Sequence, residues 1–231
     1  MSLGTALMMG AAGVSGEVLD GLVGWWAHAN SGDVAATGTW NDASGQGNDG
    51  TLTGDAYVDS DGLHLDGTAD YAAVYTNDYK LTTSFSTACW VRATTRVTWG
   101  RIINYWTATY NGGWMLSWYG ANQWYEHRLE GIDGGDGSEV TGSITLDVWY
   151  HLAGVYDSDN DLGILYVDGA EVDRQTTSGT MVYAATDMTL AIGARLPSPQ
   201  EFFNGTIGDV RIYNRSLSQS EIAQIVALNK R

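Results

Sequence analysis

Short runs of alternating apolar and polar residues, each ended by a turn signal, recur through most of this sequence and constrain its fold. The clearest case is Ile164–Val172, in which two such runs flank Asp168-Gly169. A two-residue type I′ turn needs positive φ at both central positions, and Asp-Gly supplies them, so this segment predicts a β-hairpin. With 30 Gly and only 2 Pro in 231 residues, the repeated pattern predicts an all-β domain of many short strands.

Further strands are predicted where an apolar or alternating run lies between turn residues. They are 23–26, 62–66, 71–75, 85–91, 102–103, 114–119, 124–129, 149–156, 188–193 and 206–213. Between the first two, Asn30–Gly54 is predicted to be a long loop, and loops of that length often carry function. In the strand Phe85–Val91, the size of Trp90 favours the side with Ala88 and Trp90 as the core face. The single cysteine, Cys89, is predicted to be a buried and inert thiol.

The carboxyl end is the one part of the sequence with a helical pattern. Ser218 and Glu221 have the spacing of a capping box, and Ile222, Ile225 and Val226 fall on one face of the turns that follow. A short amphipathic C-terminal helix is therefore predicted to lie against the sheets and to close one of their ends or edges.

The amino-terminal residues differ from the rest of the chain. Residues 1–16 consist mainly of Gly, Ala and Met and contain no Lys or Arg, whereas a secretory signal has a basic start and a longer apolar stretch. Small residues of this kind are ordered only when something holds them. We therefore predict that residues 1–20 form an arm and an assembly contact, docked on the domain itself or on a neighbouring subunit, and that residues 21–231 form one domain.

Charge and composition exclude several classes of protein. The chain has 11 Lys and Arg against 27 Asp and Glu, a net charge of −16, so it would repel the phosphates of a nucleic acid. No apolar run reaches 18 residues, so no membrane span is predicted. The 44% hydrophobic content is typical of a folded rather than a disordered chain.

Seven segments, taken in order, match a known family. They are GLVGWW (21–26), DASGQGNDGTL (42–52), LHLDGTADYAAV (63–74), FSTACWVRA (85–93), WYHLAGVYDSDNDLGILYVDGAEV (149–172), LAIGAR (190–195) and FFNGTIGDVRIYNRSLSQSEI (202–222). Together they resemble the laminin-G-like, concanavalin A-like jelly-roll domains, to which the pentraxins are related. The resemblance covers Gly21–Leu228 and implies a β-sandwich of two antiparallel sheets with six or seven strands each. Such domains serve as lectins, adhesion modules, enzyme appendages and virion components, so the fold alone does not fix the function.

One loop has the composition of a calcium site. Calcium takes six to eight oxygen ligands from carboxylates, amides and carbonyls, and Asp42, Asn48 and Asp49 lie in a Gly- and Asn-rich loop. The resemblance adds Asp209, because family members often hold a cation between this loop and the penultimate strand. These four residues are the candidate ligands of a structural calcium ion. The alternative is that they make Asx turns and accept hydrogen bonds from backbone amides.

The sequence lacks a recognisable catalytic pair. A retaining glycosidase needs two carboxylates about 5 Å apart, and the Glu-x-Asp-x-Glu strand that concanavalin-like glucanases use is absent. Glu126 and Glu130 share one face of a predicted strand with Arg128, and ion pairing explains them. His151 stands where the resemblance places a histidine on a core strand, and we interpret it as structural. The protein is therefore predicted not to be an enzyme.

Aromatic residues concentrate between positions 99 and 125. Aromatic rings can stack on the C–H faces of sugars while polar neighbours bind the hydroxyls. Trp114 and Trp118 are predicted to form the core face of a strand. Of the others, the glycan-binding candidates are Trp99, Trp106, Tyr110 and Tyr119. The alternative is that these four side chains pack under loops or into a subunit interface.

Together these features predict a non-catalytic binding or structural protein on a virion or cell surface. The first hypothesis is a phage decoration or appendage protein with a lectin-like jelly roll, whose partners are other subunits of the assembly, bound through the arm, and a glycan. The second is a secreted carbohydrate-binding or adhesion module, and a glycoside hydrolase comes third. A decoration protein should be oligomeric, whereas a free module should bind a glycan when purified.

Overall fold

A computed structural model shows two antiparallel sheets packed face to face, with a helix at the carboxyl end. It describes residues 16–106, 112–119, 124–130, 145–177, 180–183 and 188–228; five side chains in these ranges are outside the description, those of Asn30, Tyr119, Trp124, Glu126 and Glu130. The elements in chain order are β1 (Leu22–Trp26), α1 (His28–Ser31), β2 (Thr39–Trp40), β3 (Gly50–Thr53), β4 (Tyr57–Asp59), β5 (Gly62–Asp66), β6 (Tyr71–Val74), β7 (Phe85–Ala93), β8 (Gly100–Trp106), β9 (Gly113–Tyr119), β10 (Trp124–Glu130), β11 (Tyr150–Asp157), β12 (Leu162–Val167), β13 (Ala170–Thr176), β14 (Leu190–Ile192), β15 (Asn204–Tyr213) and α2 (Gln219–Leu228).

Within the described residues, the two sheets have eight and seven strands. The eight-stranded sheet has the order β13-β12-β11-β7-β15-β5-β4, and β1 also pairs with β15. The seven-stranded sheet has the order β10-β9-β8-β14-β6-β3-β2. Between β12 and β13, Asp168 and Gly169 have φ values of 51° and 81°, as the predicted hairpin requires. The β-sandwich predicted from the sequence is therefore confirmed, although one sheet has eight described strands instead of the six or seven that the resemblance implies.

The core between the sheets is rich in aromatic residues, and it corrects one prediction about β7. Phe85, Cys89 and Val91 belong to this core, so the prediction that Ala88 and Trp90 form the core face is wrong. Ala88 lies instead in a second cluster, on the outer face of the same sheet. A large side chain indicates the core face only where the opposite face is exposed, and here both faces are covered.

The predicted C-terminal helix, α2, covers part of that outer face. Ile222 and Ile225 are fully buried in the second cluster, so the helix lies on a face of the sheet rather than at its end. The capping box is present: the Ser218 backbone N–H donates to Glu221 Oε2 at 2.8 Å, and the Glu221 N–H donates to Ser218 Oγ at 3.3 Å. The ion pair of Glu221 with Arg215 lowers the pKa of Glu221 to about 2.

Residues 16–20 dock on the domain of their own chain. Glu17 Oε2 lies 2.5 Å from Arg211 Nη1, and the Tyr213 hydroxyl donates to the Val18 carbonyl at 3.1 Å. Val18 is also part of the second cluster. Residues 1–15 of the predicted arm lie outside the described residues, so the assembly contact stays a prediction.

The segment Asn30–Gly54, predicted to be one long loop, contains regular structure. It includes the end of α1 and the strands β2 and β3. Trp40, in β2, is fully buried, and β3 is hydrogen-bonded to β6. These strands are only two and four residues long and are fixed by long-range pairing, which local alternation does not reveal. No helix in the described part of the chain is long and apolar enough to span a membrane.

Candidate functional site

An open cleft of about 590 Å³ lies on the outer face of the eight-stranded sheet, near the edge formed by β4 and β5. Val58 and Leu63 point into the core, so their neighbours Tyr57 and His64 point outward into the cleft. Pockets of 300–1,000 Å³ are typical of small-molecule sites. We call this space the Tyr57 cleft. Its lining includes Tyr57, His64, Asp66, Asp70, Arg92 and Asn204.

Tyr57 provides an exposed aromatic face in the cleft. The residue is 46% exposed, and its ring stacks on His64 with the ring centroids 4.5 Å apart and an interplanar angle of 3°. His64 Nε2 in turn lies 2.7 Å from Asp59 Oδ1. Burial opposes ionisation of Asp59, but hydrogen bonds from His64 and from the Asp61 backbone lower its pKa overall. The Tyr57 ring is therefore held in place from behind.

Asp70 fixes the backbone beside the cleft. It is 3% exposed, and its two carboxylate oxygens accept the backbone N–H groups of Asp55 at 2.7 Å and Asp66 at 3.1 Å. Burial raises the pKa of Asp70. Because both oxygens are engaged by the backbone, this carboxylate holds two segments together.

Arg92 presents a positioned guanidinium to the same cleft. The guanidinium carbon lies 5.1 Å from the centre of the Trp149 ring. Arg92 Nη2 lies 3.5 Å from Thr206 Oγ1 and 3.8 Å from Asp61 Oδ2. The Tyr57 cleft thus combines a flat apolar surface with fixed hydrogen-bond donors and acceptors, an arrangement that suits ligands with apolar ring faces and many hydroxyl groups.

A smaller pocket of about 160 Å³ brings together two of the four glycan-binding candidates, Trp99 and Trp106. Trp99 is half-buried, and Trp106 is only 3% exposed. Tyr110 lies outside the described residues, and Tyr119 ends β9 with its side chain outside the description. Trp114 and Trp118 are core residues, as predicted. We call this space the Trp99 pocket.

Arginines stack on both indoles of the Trp99 pocket. The Arg101 guanidinium carbon lies 5.3 Å from the centre of the Trp99 ring, and that of Arg195 lies 5.1 Å from the Trp106 ring. Glu201 joins the two arginines, with its Oε2 2.7 Å from Arg101 Nε and its Oε1 3.4 Å from Arg195 Nη1. Arg128 and Met115 complete the lining.

In the proposed calcium loop, the acidic side chains accept hydrogen bonds from the backbone. Asp42 Oδ1 accepts the Trp25 N–H at 2.9 Å, and its Oδ2 accepts the Asn48 N–H at 3.0 Å. Asp49 Oδ1 accepts the Asp42 N–H at 2.8 Å. These contacts match the alternative reading of the loop, in which the carboxylates serve as turn-forming groups.

Asp209, the fourth candidate ligand, contacts a tryptophan and an arginine. Its Oδ1 accepts the Trp25 indole N–H at 2.7 Å and lies 3.1 Å from Arg211 Nε. Among the described residues, no group of three or more His, Cys, Asp or Glu side chains is placed to hold a metal ion. Calcium binding by Asp42, Asn48, Asp49 and Asp209 stays a prediction.

Two histidines and the cysteine are buried away from both pockets. His127 and His151 have no exposed surface. Burial lowers the pKa of His127 to about 4. Burial, together with the charge of Arg211, lowers the pKa of His151 to about 3. Cys89 is also fully buried, which raises the pKa of its thiol. The structural interpretation of His151 and the buried thiol predicted for Cys89 agree with these positions.

The Tyr57 cleft is not among the sites predicted from the sequence. A local signal was present, because the turn dipeptide Asp61-Gly62 overlaps the two-residue turn Ser60-Asp61 between β4 and β5. Tyr57 of β4 pairs with His64 of β5 across this turn. However, β4 is only three residues long, too short to be predicted as a strand. Arg92 joins the cleft through the pairing of β7 with β15, which no local pattern reveals.

Comparisons with known proteins agree with the fold. The sequence profile of the concanavalin A-like lectin/glucanase superfamily matches residues 66–223, more than half of the chain. Among curated protein sequences, none matches this chain.

Solved structures with the same fold are distant in sequence. Trypanosoma rangeli sialidase in complex with sialic acid is 23% identical with a TM-score of 0.65; the alignment covers 92% of this chain but only 33% of the sialidase. Domain 4 of AbnA, an extracellular arabinanase of Geobacillus stearothermophilus in complex with arabinotriose, is 21% identical with a TM-score of 0.64, covering 88% of this chain and 97% of that domain. The binding domain of botulinum neurotoxin DC in complex with SialylT is 14% identical with a TM-score of 0.67, covering 92% and 52%.

Proposed function

Because this chain belongs to the concanavalin A-like lectin/glucanase superfamily, we propose that it is a non-catalytic extracellular module that binds carbohydrate in the Tyr57 cleft. The observation that carries the proposal is the exposed Tyr57 ring, stacked on His64 in the larger of the two pockets described above. Tyr57 offers an apolar face to a sugar ring. Arg92, Asp66 and Asn204 stand around it with donors and acceptors for the hydroxyls.

The structural neighbours support this class of ligand. Arabinotriose is bound to the AbnA domain, which is nearly the same size as this chain, and SialylT is bound to the neurotoxin binding domain. This chain spans about a third of the sialidase, so the activity of that whole enzyme is no guide to this one. The extracellular arabinanase also supports a location outside the cell.

A glycan array followed by titration calorimetry with the best oligosaccharide tests the proposal. Tyr57→Ala should weaken binding about 10-fold or more, because an aromatic face and its buried area are lost. Tyr75→Ala is the matched control, since Tyr75 is 73% exposed and does not line the cleft. Tyr75→Ala should bind the glycan as the wild type does. The proposal fails if no glycan binds, or if Tyr57→Ala also binds as tightly as the wild type.

Hydrolysis is the alternative function, because Asp66 and Asp70 both line the cleft. The backbone contacts of both Asp70 oxygens favour a structural role for that residue. Incubation with a panel of polysaccharides, followed by chromatography of the products, distinguishes the two functions. We expect no products. Turnover that is lost in Asp66→Asn would make the protein a hydrolase.

A more specific proposal is that this module is displayed on a virion as a decoration or appendage protein. It depends on an assembly contact through the arm. Light scattering on the full chain and on a chain that begins at residue 16 tests it. A decoration protein should form an oligomer that the shorter chain cannot form, whereas a secreted module should be a monomer in both cases.

A further inference from the structure

We propose that the Tyr57 cleft selects a sugar with a free amino group, whose ammonium is bound by Asp55 and Asp66 beside the Tyr57 ring. The inference rests on the proposed function, that this cleft binds carbohydrate, and it adds the chemical class of the ligand. The hydroxyl groups that all sugars share then contribute to binding, and the amino group determines which sugar is preferred.

The outward side chains of four adjacent strands form the floor of the cleft. The strands lie in the order β4, β5, β15 and β7, and their register puts one residue of each in a row. Along the row these residues are Tyr57, His64, Thr206 and Arg92. Since neighbouring strands lie about 4.8 Å apart, Tyr57 and Arg92 stand at opposite ends of the floor.

Two carboxylates lie beside the tyrosine end of that row. Asp55 comes two residues before Tyr57, and Asp66 comes two residues after His64, so each lies on the outward side of its strand. Both line the cleft. The register of β4 and β5, in which Tyr57 pairs with His64, places Asp55 opposite Asp66 when it is continued by two residues.

Asp70 holds the backbones of these two residues together. Its Oδ1 accepts the Asp55 N–H at 2.7 Å, and its Oδ2 accepts the Asp66 N–H at 3.1 Å. Burial raises the pKa of Asp70; the two N–H groups oppose this rise, and the nearby Asp66 carboxylate adds to it. Like charges at opposing positions of a sheet repel each other. The fold therefore keeps acidic groups together at a place where a bound cation would relieve their repulsion.

The two carboxylates are left without a cationic partner in the part of the chain that the structure describes. Asp66 Oδ1 accepts the Thr68 backbone N–H at 2.6 Å, and Asp55 is exposed. Neither forms an ion pair with a described residue. His64, the nearest residue that could carry a positive charge, is engaged by Asp59.

Arg92 lies too far along the floor to neutralise this end of the cleft. Its strand is two strand spacings from β5, or about 10 Å, which is roughly the Debye length at 0.1 M salt. Its Nη2 also lies 3.8 Å from Asp61 Oδ2. The cleft is therefore acidic near Tyr57 and basic at the far end, so the position of a charged group on the ligand decides where the sugar ring lies.

An ammonium group suits the acidic end of the cleft. It has three N–H donors and no acceptor, and carboxylate oxygens are acceptors only. The exposed face of Tyr57 attracts a cation as well as the C–H face of a sugar ring. Among the described residues, no three side chains of the metal-ligating types are placed to hold a metal ion. The net charge of −16 would also attract a cationic glycan to the protein.

Titration of the protein with matched sugars, followed by NMR at pH 6, tests the proposal. An aliphatic amine is protonated at that pH. The probes are glucosamine with glucose and galactosamine with galactose, because each amine differs from its partner only in an ammonium group that replaces one hydroxyl. We expect at least one amine to bind about 3- to 10-fold more tightly than its neutral partner, and the difference to shrink as salt is added. Equal binding of amine and neutral sugar by the wild type overturns the proposal.

The double variant Asp55→Asn/Asp66→Asn should bind amine and neutral sugar equally, because Asn keeps the size of Asp and removes its charge. Asp159→Asn/Asp161→Asn is the matched control: it removes two exposed carboxylates from the turn between β11 and β12, outside the cleft, and should keep the preference for the amine. A preference that survives in the first variant overturns the proposal. If thermal unfolding shows that this variant does not fold, Asp55→Asn decides, and it should reduce the preference at least about twofold.

Failure of this inference can be told apart from failure of the proposed function. Tyr57→Ala should weaken binding of amine and neutral sugar alike, because it removes the surface that both rings contact. If glycans bind and depend on Tyr57, but the amine is not preferred, the inference alone is wrong. If neither these sugars nor any glycan of the array binds, the proposed function is wrong as well.

Discussion

The ring of Tyr57 lies flat on the imidazole of His64, with the two centroids 4.5 Å apart and the planes 3° from parallel. Asp59 Oδ1 contacts the edge of the imidazole, 2.7 Å from His64 Nε2. The three residues therefore form a series in which a carboxylate orients an imidazole and the imidazole supports a tyrosine. We infer that the preorganisation of the Tyr57 cleft depends on residues behind the aromatic ring.

This series predicts different effects for two substitutions of His64. His64→Phe keeps a flat ring behind Tyr57, so glycan binding should stay within about twofold of the wild type. His64→Ala removes that ring and should weaken binding about 3- to 10-fold, the equivalent of a lost aromatic pair. Calorimetry with the oligosaccharide identified on the array measures both. Equal loss in the two variants would show that the imidazole contacts the ligand itself.

The close packing around Gly54, beside Asp70, predicts that alanine is less well tolerated there than at Gly45. Gly54 has φ +75°, and a Cβ there would lie 2.2 Å from Asp70 Oδ1 and 2.7 Å from the Ala69 carbonyl oxygen. Gly54→Ala should therefore destabilise the fold by about 2–4 kcal/mol. Gly45 is the control, because it has φ +89° with nothing within 4 Å of its Cβ position, and Gly45→Ala should cost about 1 kcal/mol. Urea unfolding measures both, and equal losses would contradict the clash.

Much of the fold could be predicted from the sequence, because hairpins and capping boxes are local. The Asp168-Gly169 turn and the Ser218–Glu221 box were both identified from neighbouring residues. The Tyr57 cleft could not be identified in this way, because its sides come from strands that are distant in sequence. Pairing of Thr206 with Arg92 and with His64 brings those sides together.

Burial on the outer faces is the second feature that the sequence does not reveal. Trp106 has the alternation of an outward residue, yet it is almost completely buried and lies against Arg195. Ala88 also points to an outer face, and it is fully buried in the cluster that contains Ile222 and Ile225 of α2. In a sandwich with covered outer faces, alternation separates the two sides of a strand without telling which is exposed.

The attachment of residues 16–20 predicts unequal effects for two carboxylates. Glu17 pairs with Arg211, whose side chain is fully buried; burial disfavours its charge, but Asp209 and Glu17 raise its pKa overall. Glu17→Ala should cost about 3 kcal/mol, because it leaves a buried cation with one partner fewer. Asp20→Ala, which removes a pair between Arg215 and a 91% exposed carboxylate, should cost less than about 1 kcal/mol. Urea unfolding compares them, and similar losses would mean that the Glu17 contact adds little.

The buried histidines predict how stability depends on pH. The pKa values of His127 and His151 are lowered from 6.5 to about 4 and about 3 in the folded chain, so below pH 6.5 protons bind preferentially to the unfolded chain. Stability should therefore fall as the pH falls from 6.5 toward 4, by up to about 1.4 kcal/mol per pH unit for each histidine. Glu221, with its pKa lowered from 4.5 to about 2, contributes stability that is lost only below about pH 4.5. Of the two effects, only that of the histidines therefore operates between pH 6.5 and about 4.5, and the two overlap at lower pH.

Urea unfolding at pH 7, 6, 5 and 4, together with NMR of the imidazole C–H groups, measures the histidine effect. At pH 5 both buried rings should still have the chemical shifts of neutral imidazole, because their folded-state pKa values lie below that pH. Glu221→Gln serves as the control: it should be less stable than the wild type at pH 7 but should show the same slope between pH 6.5 and 5. A flat stability profile over that range would mean that the two rings can take up protons without unfolding, and hence that water reaches them in the folded protein.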